Sequence, residues 1–356
     1  MLRNIKLATL RLLKNSRVFE LVADSDWRRR RLLILCYHGT SLEDEHLWRP
    51  GLYMRPELLQ QRLEILKRGG YAVVPLGEGL ERLQGGTLPA RSVAITFDDG
   101  THDFYKAAYP VLKAFGFPVT VYQTTYYTDY QRPIFNLITS YVLWKRRGQV
   151  IQDGSQFGLG QPLDLRDEIG RHRVVQALID LAERERLTGC QKDELAGRLA
   201  KFLGIDYEEL VGKRILQLMN ARELQEIARD GVDIQLHTHR HRTPDDEALF
   251  GREIRENRER IEQIVSSRAV HFCYPGGVYR QKFLPWLSNQ QVISATTCDS
   301  GLAKPTSTPL LLPRYIDNTL RKEIEFESWL VGVGDLLAFR RAARQRYVPL
   351  NVDVTA

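Results

Sequence analysis

Short apolar runs alternate along this chain with segments of helical periodicity, and this alternation constrains the fold more than any other feature. The runs "LLILCY" (32–37), "SVAITF" (92–97) and "PVTVY" (118–122) have the composition of buried strands. In "RPELLQQRLEILKRGG" (55–70), leucines recur at helical spacing and a glycine pair can end the helix. Repeated strand and helix units with right-handed crossovers form parallel sheets, so we predict an α/β fold, a distorted or incomplete (β/α) barrel.

Residues 124–230 interrupt this rhythm with a tyrosine-rich loop, a glycine-rich stretch and helix-forming sequence. We interpret them as a largely helical insertion. The rhythm resumes with "GVDIQLHTHRH" (231–241), a helix from about Asp245 to Ser267, and the strands "AVHFCYPGG" (269–277) and "VISATT" (292–297). The predicted organisation is an N-terminal segment (1–31), an α/β domain (32–320) that contains the insertion, and a C-terminal helical extension (321–356).

The N-terminal segment has a basic amphipathic pattern. As a helix, it places cationic residues on one face and apolar residues on the other: Arg3, Lys6, Lys14 and Arg17 against Ile5, Ala8, Leu12 and Phe19. The pattern suits either a helix that caps the barrel or one that attaches peripherally to an anionic membrane surface. The formal net charge of +7 also favours anionic partners, although we expect no nucleic-acid partner.

No stretch approaches the roughly 18 uncharged apolar residues that a membrane-spanning helix needs, so an integral membrane protein is excluded. The first 22 residues spread their cations evenly and contain no uninterrupted apolar core, which argues against a secretory signal. The four cysteines are far apart and form no CxxC pair, a pattern typical of buried thiols in a reducing compartment. We therefore expect a cytoplasmic protein.

Polar clusters follow three of the predicted strands: Asp98 and Asp99, the histidines of 237–241, and the segment 273–277. The carboxyl ends of parallel strands converge on one face of the sheet, so these clusters can meet there. Two imidazoles and one carboxylate bind zinc or a similar divalent ion and leave a position open for water. Successive residues at a strand end point in opposite directions, so Asp98 can accept a proton from that water if Asp99 binds the metal.

The motifs "TFDDG" (96–100), "HTHRH" (237–241) and "YPGG" (274–277) together resemble those of the polysaccharide deacetylase family, also called the NodB-homology or carbohydrate esterase four group. The resemblance extends from about Leu32 to Ile316. It implies a distorted (β/α) barrel that removes N- or O-acetyl groups from sugars with one divalent ion, commonly Zn²⁺.

The resemblance also implies a role for each matched residue. Asp98 is then the general base, and Asp99, His237 and His241 are the metal ligands. Thr238 orders the loop between the two histidines. His239 is a residue behind the metal ligands or on the surface, or else a competing ligand.

The chain departs from the family in its third motif, Arg-x-Pro followed by an aromatic residue. Cys273 stands at the arginine position and Gly276 at the aromatic one, with Pro275 retained between them. We predict that Gly276 offers its backbone N–H to an oxyanion and that Tyr274 contributes to the substrate site. Arg314, in "LPRY" (312–315), either replaces the missing arginine at the site or is a surface residue.

The general acid is a second departure, because the family's late Leu-x-His motif has no counterpart after His271. His38, in "CYHG" (36–39), resembles an early Tyr-His motif of members whose acid comes from the first strand. We predict that His38 is the acid and lies across the metal from Asp98, with room for an acyl group between them. His102 is the alternative.

Other classes of protein fit these motifs less well. An amidohydrolase barrel needs its His-x-His pair on the first strand, and a non-haem iron oxygenase uses its ligands in a different order. A metal-dependent hydrolase of a non-sugar amide and a non-catalytic glycan-binding member of the fold remain alternatives. The predicted substrate is an acetylated sugar or glycan precursor, nucleotide-linked or lipid-linked, in envelope or exopolysaccharide synthesis.

Overall fold

The computed structural model describes residues 2–157 and 162–338. Their contacts divide the chain into two compact units. The first comprises the chain up to Tyr126 together with the residues from Met219 onward, and the second is Tyr127–Leu218.

The first unit begins with three helices, α1 (Leu2–Asn15), α2 (Val18–Ala23) and α3 (Asp26–Arg29). The next elements are β1 (Leu33–Tyr37), β2 (Gly39–Thr40), α4 (Glu45–Trp48), β3 (Tyr53–Met54), α5 (Pro56–Arg68), β4 (Ala72–Val73), α6 (Leu76–Gly85) and β5 (Ser92–Phe97). A π-helical turn, Phe104–Ala108, then leads into α7 (Tyr109–Phe115) and β6 (Thr120–Gln123).

The second unit contains four helices and one short antiparallel hairpin among its described residues. These are α8 (Phe135–Lys145), β7 (Val150–Ile151), β8 (Leu163–Asp164), α9 (Glu168–Arg184), α10 (Gly189–Phe202) and α11 (Tyr207–Gly212). The chain then returns to the first unit with α12 (Ala221–Arg229), β9 (Asp233–Leu236), α13 (Glu247–Val265), β10 (His271–Cys273), α14 (Phe283–Asn289), β11 (Ser294–Thr296), β12 (Tyr315–Ile316), α15 (Glu323–Val331) and α16 (Val333–Leu337).

The main sheet is parallel throughout. Its strands lie in the order β11-β10-β9-β6-β5-β1-β12, and β4 pairs with β5 beside this path. Leu312 forms a bridge with β11, and Tyr315 and Ile316 pair with β1. The segment 312–316 therefore joins both edges of the sheet and closes the ring. The predicted distorted barrel is confirmed.

Apolar side chains on the strands and on the surrounding helices form the core. All five residues of β1 and all six of β5 are buried, which explains their uninterrupted apolar or β-branched character. On α5 the periodic leucines 59, 63 and 66 are fully buried against the sheet, as their spacing predicts. The helices thus cover the outside of the sheet, and the polar clusters that begin at Asp98 and His237 follow the carboxyl ends of β5 and β9.

The insertion predicted at 124–230 and the second unit differ at their C-terminal boundary. Residues 219–230 belong to the first unit, because Met219, Leu224 and Ile227 are buried in the barrel core. The predicted C-terminal extension contains α15 and α16, and its residues 339–356 lie outside the described part of the chain.

The N-terminal helix α1 packs on the protein through Leu7 and Leu10, and two of its cations reach glutamates of α15. Lys6 pairs with Glu325 at 2.9 Å and Lys14 with Glu327 at 2.6 Å, both on α15. The apolar residues Ile5 and Leu12 are instead 55% and 68% exposed. Two of the four cations that suggested an anionic membrane surface are therefore paired with the chain's own glutamates, and peripheral attachment stays a prediction. Among residues 2–157 and 162–338, no helix has the length and hydropathy of a membrane span.

Candidate active site

The predicted metal ligands Asp99, His237 and His241 meet at the carboxyl ends of β5 and β9. Asp99 Oδ1 lies 3.2 Å from His237 Nε2 and 3.1 Å from His241 Nε2. One donor atom from each residue lies within 4.8 Å of the other two. Zinc bonds to nitrogen and oxygen are about 2.0–2.1 Å long, so donor atoms of a tetrahedral site lie about 3.3 Å apart. The chemistry and spacing of this donor set fit a divalent cation.

Charge at this cluster also favours a cation. Burial raises the pKa of the Asp99 carboxyl, but hydrogen bonds from His237 and His241 outweigh burial and hold that pKa well below its usual range. Burial lowers the pKa of His241, and the hydrogen bond and charge of Asp99 outweigh it, so that pKa is raised. The carboxylate thus stabilises positive charge beside it, which a metal ion would supply.

The imidazole of His237 is oriented from behind. Its Nδ1 lies 2.8 Å from the backbone carbonyl oxygen of Cys273. A hydrogen bond at Nδ1 keeps a proton on that nitrogen, as in metal-bound histidines generally. Nε2, which faces Asp99, is therefore the nitrogen that can bind a metal ion once its own proton is released.

The backbone of the cluster is strained. Asp99, Thr238 and His241 have φ values of 73°, 61° and 55°, in the left-handed region that side chains other than glycine disfavour. Such residues cost of the order of 1–3 kcal/mol each and are kept only where their surroundings enforce them. Thr238 contributes by accepting a hydrogen bond of 3.0 Å from the Arg242 N–H, which fits its predicted part in ordering the loop.

Asp98 is buried, and Arg314 forms a bidentate ion pair with it. Arg314 Nη1 and Nη2 donate hydrogen bonds of 2.7 Å to Oδ1 and Oδ2 of the carboxylate. The side chain of Arg314 is 0% exposed, so it is neither a surface residue nor placed to contact substrate. Cys273, which stands at the arginine position of the third motif, has its Sγ 3.1 Å from Arg314 Nη2.

The arginine controls the ionisation of Asp98. Burial alone raises the pKa of this carboxyl, but the charge and hydrogen bonds of Arg314 outweigh burial and leave the pKa far below its usual range. The thiols of Cys36 and Cys273 approach Oδ2 at 3.5 and 3.4 Å. Burial raises the pKa of both thiols, so they stay protonated beside the carboxylate. The net effect favours the ionised form of Asp98.

His38 lies beside Asp98, which differs from the predicted arrangement. Cys36 and Tyr37 pair in register with Thr96 and Phe97, so the residues that follow leave neighbouring strands at the same level. His38 Nε2 is 3.7 Å from Asp98 Oδ2, which leaves no room for an acyl group between them. The side chain is 15% exposed and reaches the edge of the site. The alternative acid, His102, instead faces Glu223, whose Oε1 lies 3.1 Å from His102 Nδ1.

In the third motif, Tyr274 and Pro275 are buried and Gly276 is exposed. Tyr274 is buried and its hydroxyl donates to the Leu310 carbonyl at 3.1 Å, a placement that does not support contact with substrate. Pro275 is buried at the start of a short 3₁₀ turn. Gly276 in this turn is exposed with φ of 59°, a conformation that favours glycine. Among the described residues, no hydrogen bond is formed by its N–H.

Comparison with known proteins supports the same assignment of family. The model of the family described as "Polysaccharide deacetylase" matches residues 85–158 and 209–292. These ranges contain Asp98, Asp99, His237 and His241, but neither His38 nor Arg314. Poly-beta-1,6-N-acetyl-D-glucosamine N-deacetylase of Escherichia coli K12 is 31% identical over 99 residues, or 28% of this chain. The matched residues span only 14% of that relative's length.

Two solved structures share the fold at low sequence identity. The Streptococcus pyogenes deacetylase PplD in complex with acetate is similar with a TM-score of 0.54 at 18% identity, over 81% of this chain and 93% of that one. IcaB from Ammonifex degensii gives a TM-score of 0.52 at 17% identity, over 85% of this chain and 97% of that one. Both similarities extend over most of this chain, and at these identities they show a shared fold.

Proposed function

Because the chain belongs to the polysaccharide deacetylase family, we propose that it is a metal-dependent hydrolase that removes the acetyl group from an N-acetylated sugar in a glycan. One observation carries the proposal: the donor set of Asp99, His237 and His241 lies next to a second, buried carboxylate that Arg314 keeps ionised. Cation ligands and a proton acceptor on neighbouring residues are what hydrolysis by an activated water requires.

Asp99, His237 and His241 would hold the ion, and their nitrogen and oxygen donors suit Zn²⁺. When bound, such an ion lowers the pKa of a coordinated water to near neutrality and polarises the acetyl carbonyl. Three protein ligands leave coordination positions for water and substrate. The backbone N–H of the exposed residue Gly276 is the proposed donor to the oxygen on which negative charge develops.

Asp98 acts as general base in this proposal. Its carboxylate is ionised, is fixed in orientation by two hydrogen bonds, and follows β5 directly before Asp99. The low pKa makes it a weak base, so it works only on a water that is already acidified. Because of the same low pKa, the carboxylate is deprotonated and can accept a proton even in mildly acidic solution.

His38 is the proposed general acid. The amine that leaves from an amide is too basic to depart without a proton, and an imidazolium can supply it. His38 Nε2 lies 3.7 Å from Asp98 Oδ2, so the proposed acid and the proposed base lie on the same side of the site. A proton taken up at Asp98 has only this short distance to cover to reach the imidazole.

The proposed substrate is a polymer or precursor that contains N-acetylated glucosamine, since the E. coli relative is named for such a polysaccharide. Acetate release should be measured with the metal-loaded chain on N-acetylated and O-acetylated sugars, free and lipid-linked, and on a non-sugar acetamide. Release from the N-acetylated sugars supports the proposal. Release from the acetamide alone would favour a different amidase, and metal binding with no release from any substrate would favour a glycan-binding protein.

A further inference from the structure

The loop that carries both candidate ligand histidines packs on one face of α13. Three residues at the site, Asp99, Thr238 and His241, have the left-handed backbone described above, so neighbouring groups must hold them in place. None of the residues assigned so far spans the loop and the adjacent strands together. Two buried polar side chains of α13, Glu253 and Asn257, lie one helical turn apart. Together they form hydrogen bonds to the loop and to the adjacent strands.

Asn257 is fully buried and uses both ends of its amide. Its Oδ1 accepts a hydrogen bond of 2.9 Å from the backbone N–H of His237. Its Nδ2 donates to the Gln123 carbonyl at 2.9 Å and to Thr125 Oγ1 at 3.0 Å. One side chain therefore links the end of β9, where the first ligand histidine begins, to the end of β6.

Thr125 continues this connection to His239. Its hydroxyl lies 2.8 Å from His239 Nδ1, and the N–H of Tyr126 donates to the His239 carbonyl at 2.9 Å. The imidazole of His239 is therefore hydrogen-bonded to Thr125 and helps to hold the loop in place. The bonds from Asn257 and Thr125 fix the loop on the strand side.

Glu253 fixes the other half of the loop. Its carboxylate accepts from the Arg240 N–H at 2.8 Å and from Arg242 Nε at 2.8 Å. Its backbone carbonyl accepts from the His239 N–H at 3.1 Å. Arg240 and Arg242 are the two neighbours of His241, so Glu253 holds that ligand on both sides although it does not contact the imidazole.

We propose that Asn257 and Glu253 are positioning residues that set the affinity of the site for its divalent ion. This inference rests on the proposed function, since it takes Asp99, His237 and His241 as the ligands. With the α13 contacts in place, the two imidazoles are held ready before the ion arrives. Without them, binding must first order a strained loop, and losses of about 10–100-fold in affinity are typical when such supporting bonds are removed.

The test is the dissociation constant of Zn²⁺ for the full chain, measured by calorimetric titration of the metal-free protein, with thermal unfolding of the same metal-free samples. Asn257→Leu removes all three hydrogen bonds, Asn257→Asp keeps the acceptor for His237, and Glu253→Gln weakens the arginine contacts. Glu259→Gln, on the exposed side of α13, is the matched control for Glu253→Gln.

We expect Zn²⁺ to bind about 10–100-fold more weakly to Asn257→Leu and to Glu253→Gln, less so to Asn257→Asp, and as in the wild type to Glu259→Gln. The metal-free unfolding temperature of Glu253→Gln should change little by comparison, whereas that of Asn257→Asp should fall because its carboxylate faces the Gln123 carbonyl. Wild-type affinity in Asn257→Leu or Glu253→Gln would overturn the inference, and so would a loss of affinity that only follows a loss of stability. A wild-type chain that binds no divalent ion would instead refute the proposed function.

Discussion

Arg314 donates one hydrogen bond of 2.7 Å to each carboxylate oxygen of Asp98, and both side chains are buried inside the barrel. The two residues are 216 positions apart in the chain. The pair explains how a carboxylate stays ionised where burial alone would favour its protonated form.

Replacing Arg314 should change the pH dependence of the reaction. Arg314 lowers the pKa of Asp98, so Arg314→Met should raise it, and the base is active only when deprotonated. The acidic limb of the kcat/KM profile should therefore move to higher pH, with a loss of about 10-fold for each pH unit below the new pKa. Arg314→Lys, which keeps the charge, should move the limb less. An unchanged limb in Arg314→Met would show that Asp98 is not the base.

His237→Ala should remove the metal and leave the fold intact. The imidazole supplies one of three candidate donors, so Zn²⁺ affinity should fall by at least about 100-fold, beyond the usual effect of a supporting residue. Metal content after dialysis and circular dichroism measure the two outcomes. His172→Ala, an exposed histidine of the second unit, is the control. Full metal occupancy in His237→Ala would rule out the assigned ligand set.

Asp98→Asn should keep the metal but lose activity by about 10²-fold or more, the scale of a lost general base. The same change leaves Arg314 buried without its counter-charge, which should cost roughly 3 kcal/mol or more of stability. A double variant, Asp98→Asn with Arg314→Met, should recover stability without recovering activity. If Asp98→Asn instead loses metal as fully as Asp99→Asn does, the roles of the two aspartates are reversed.

His38→Ala should distinguish substrates by their leaving groups. Cleavage of an N-acetyl amide needs a proton for the departing amine, whereas an activated aryl acetate leaves without one. We expect amide turnover to fall by about 10²-fold or more and ester turnover to change little. Equal losses on both substrates would indicate that His38 only supports Asp98, its neighbour at 3.7 Å. Normal amide turnover would transfer the role to His102, for which His102→Ala is the companion variant.

The sequence was sufficient to predict the barrel, the strand ends and the grouping of Asp98, Asp99, His237 and His241, because strand runs and helical spacing are local patterns. The position of His38 was not predictable, since it depends on β1 lying next to β5, and strand order is set by packing. Arg314 stayed ambiguous because the strand that follows it has only two residues. No local pattern distinguishes the paired Lys6 and Lys14 from solvent-exposed cations, or Asn257 from an ordinary helix residue.

Closure of the ring by residues 312–316 has a consequence for how the protein is made. At about 5–20 residues per second, a ribosome adds Arg314 roughly 10–40 s after Asp98. During that interval the nascent chain has a sheet with two open edges and a carboxylate whose counter-ion has yet to be synthesised. We therefore expect chains released before residue 316 to be substrates for chaperones and proteases, and the barrel to complete its folding only after residue 316 has left the ribosome.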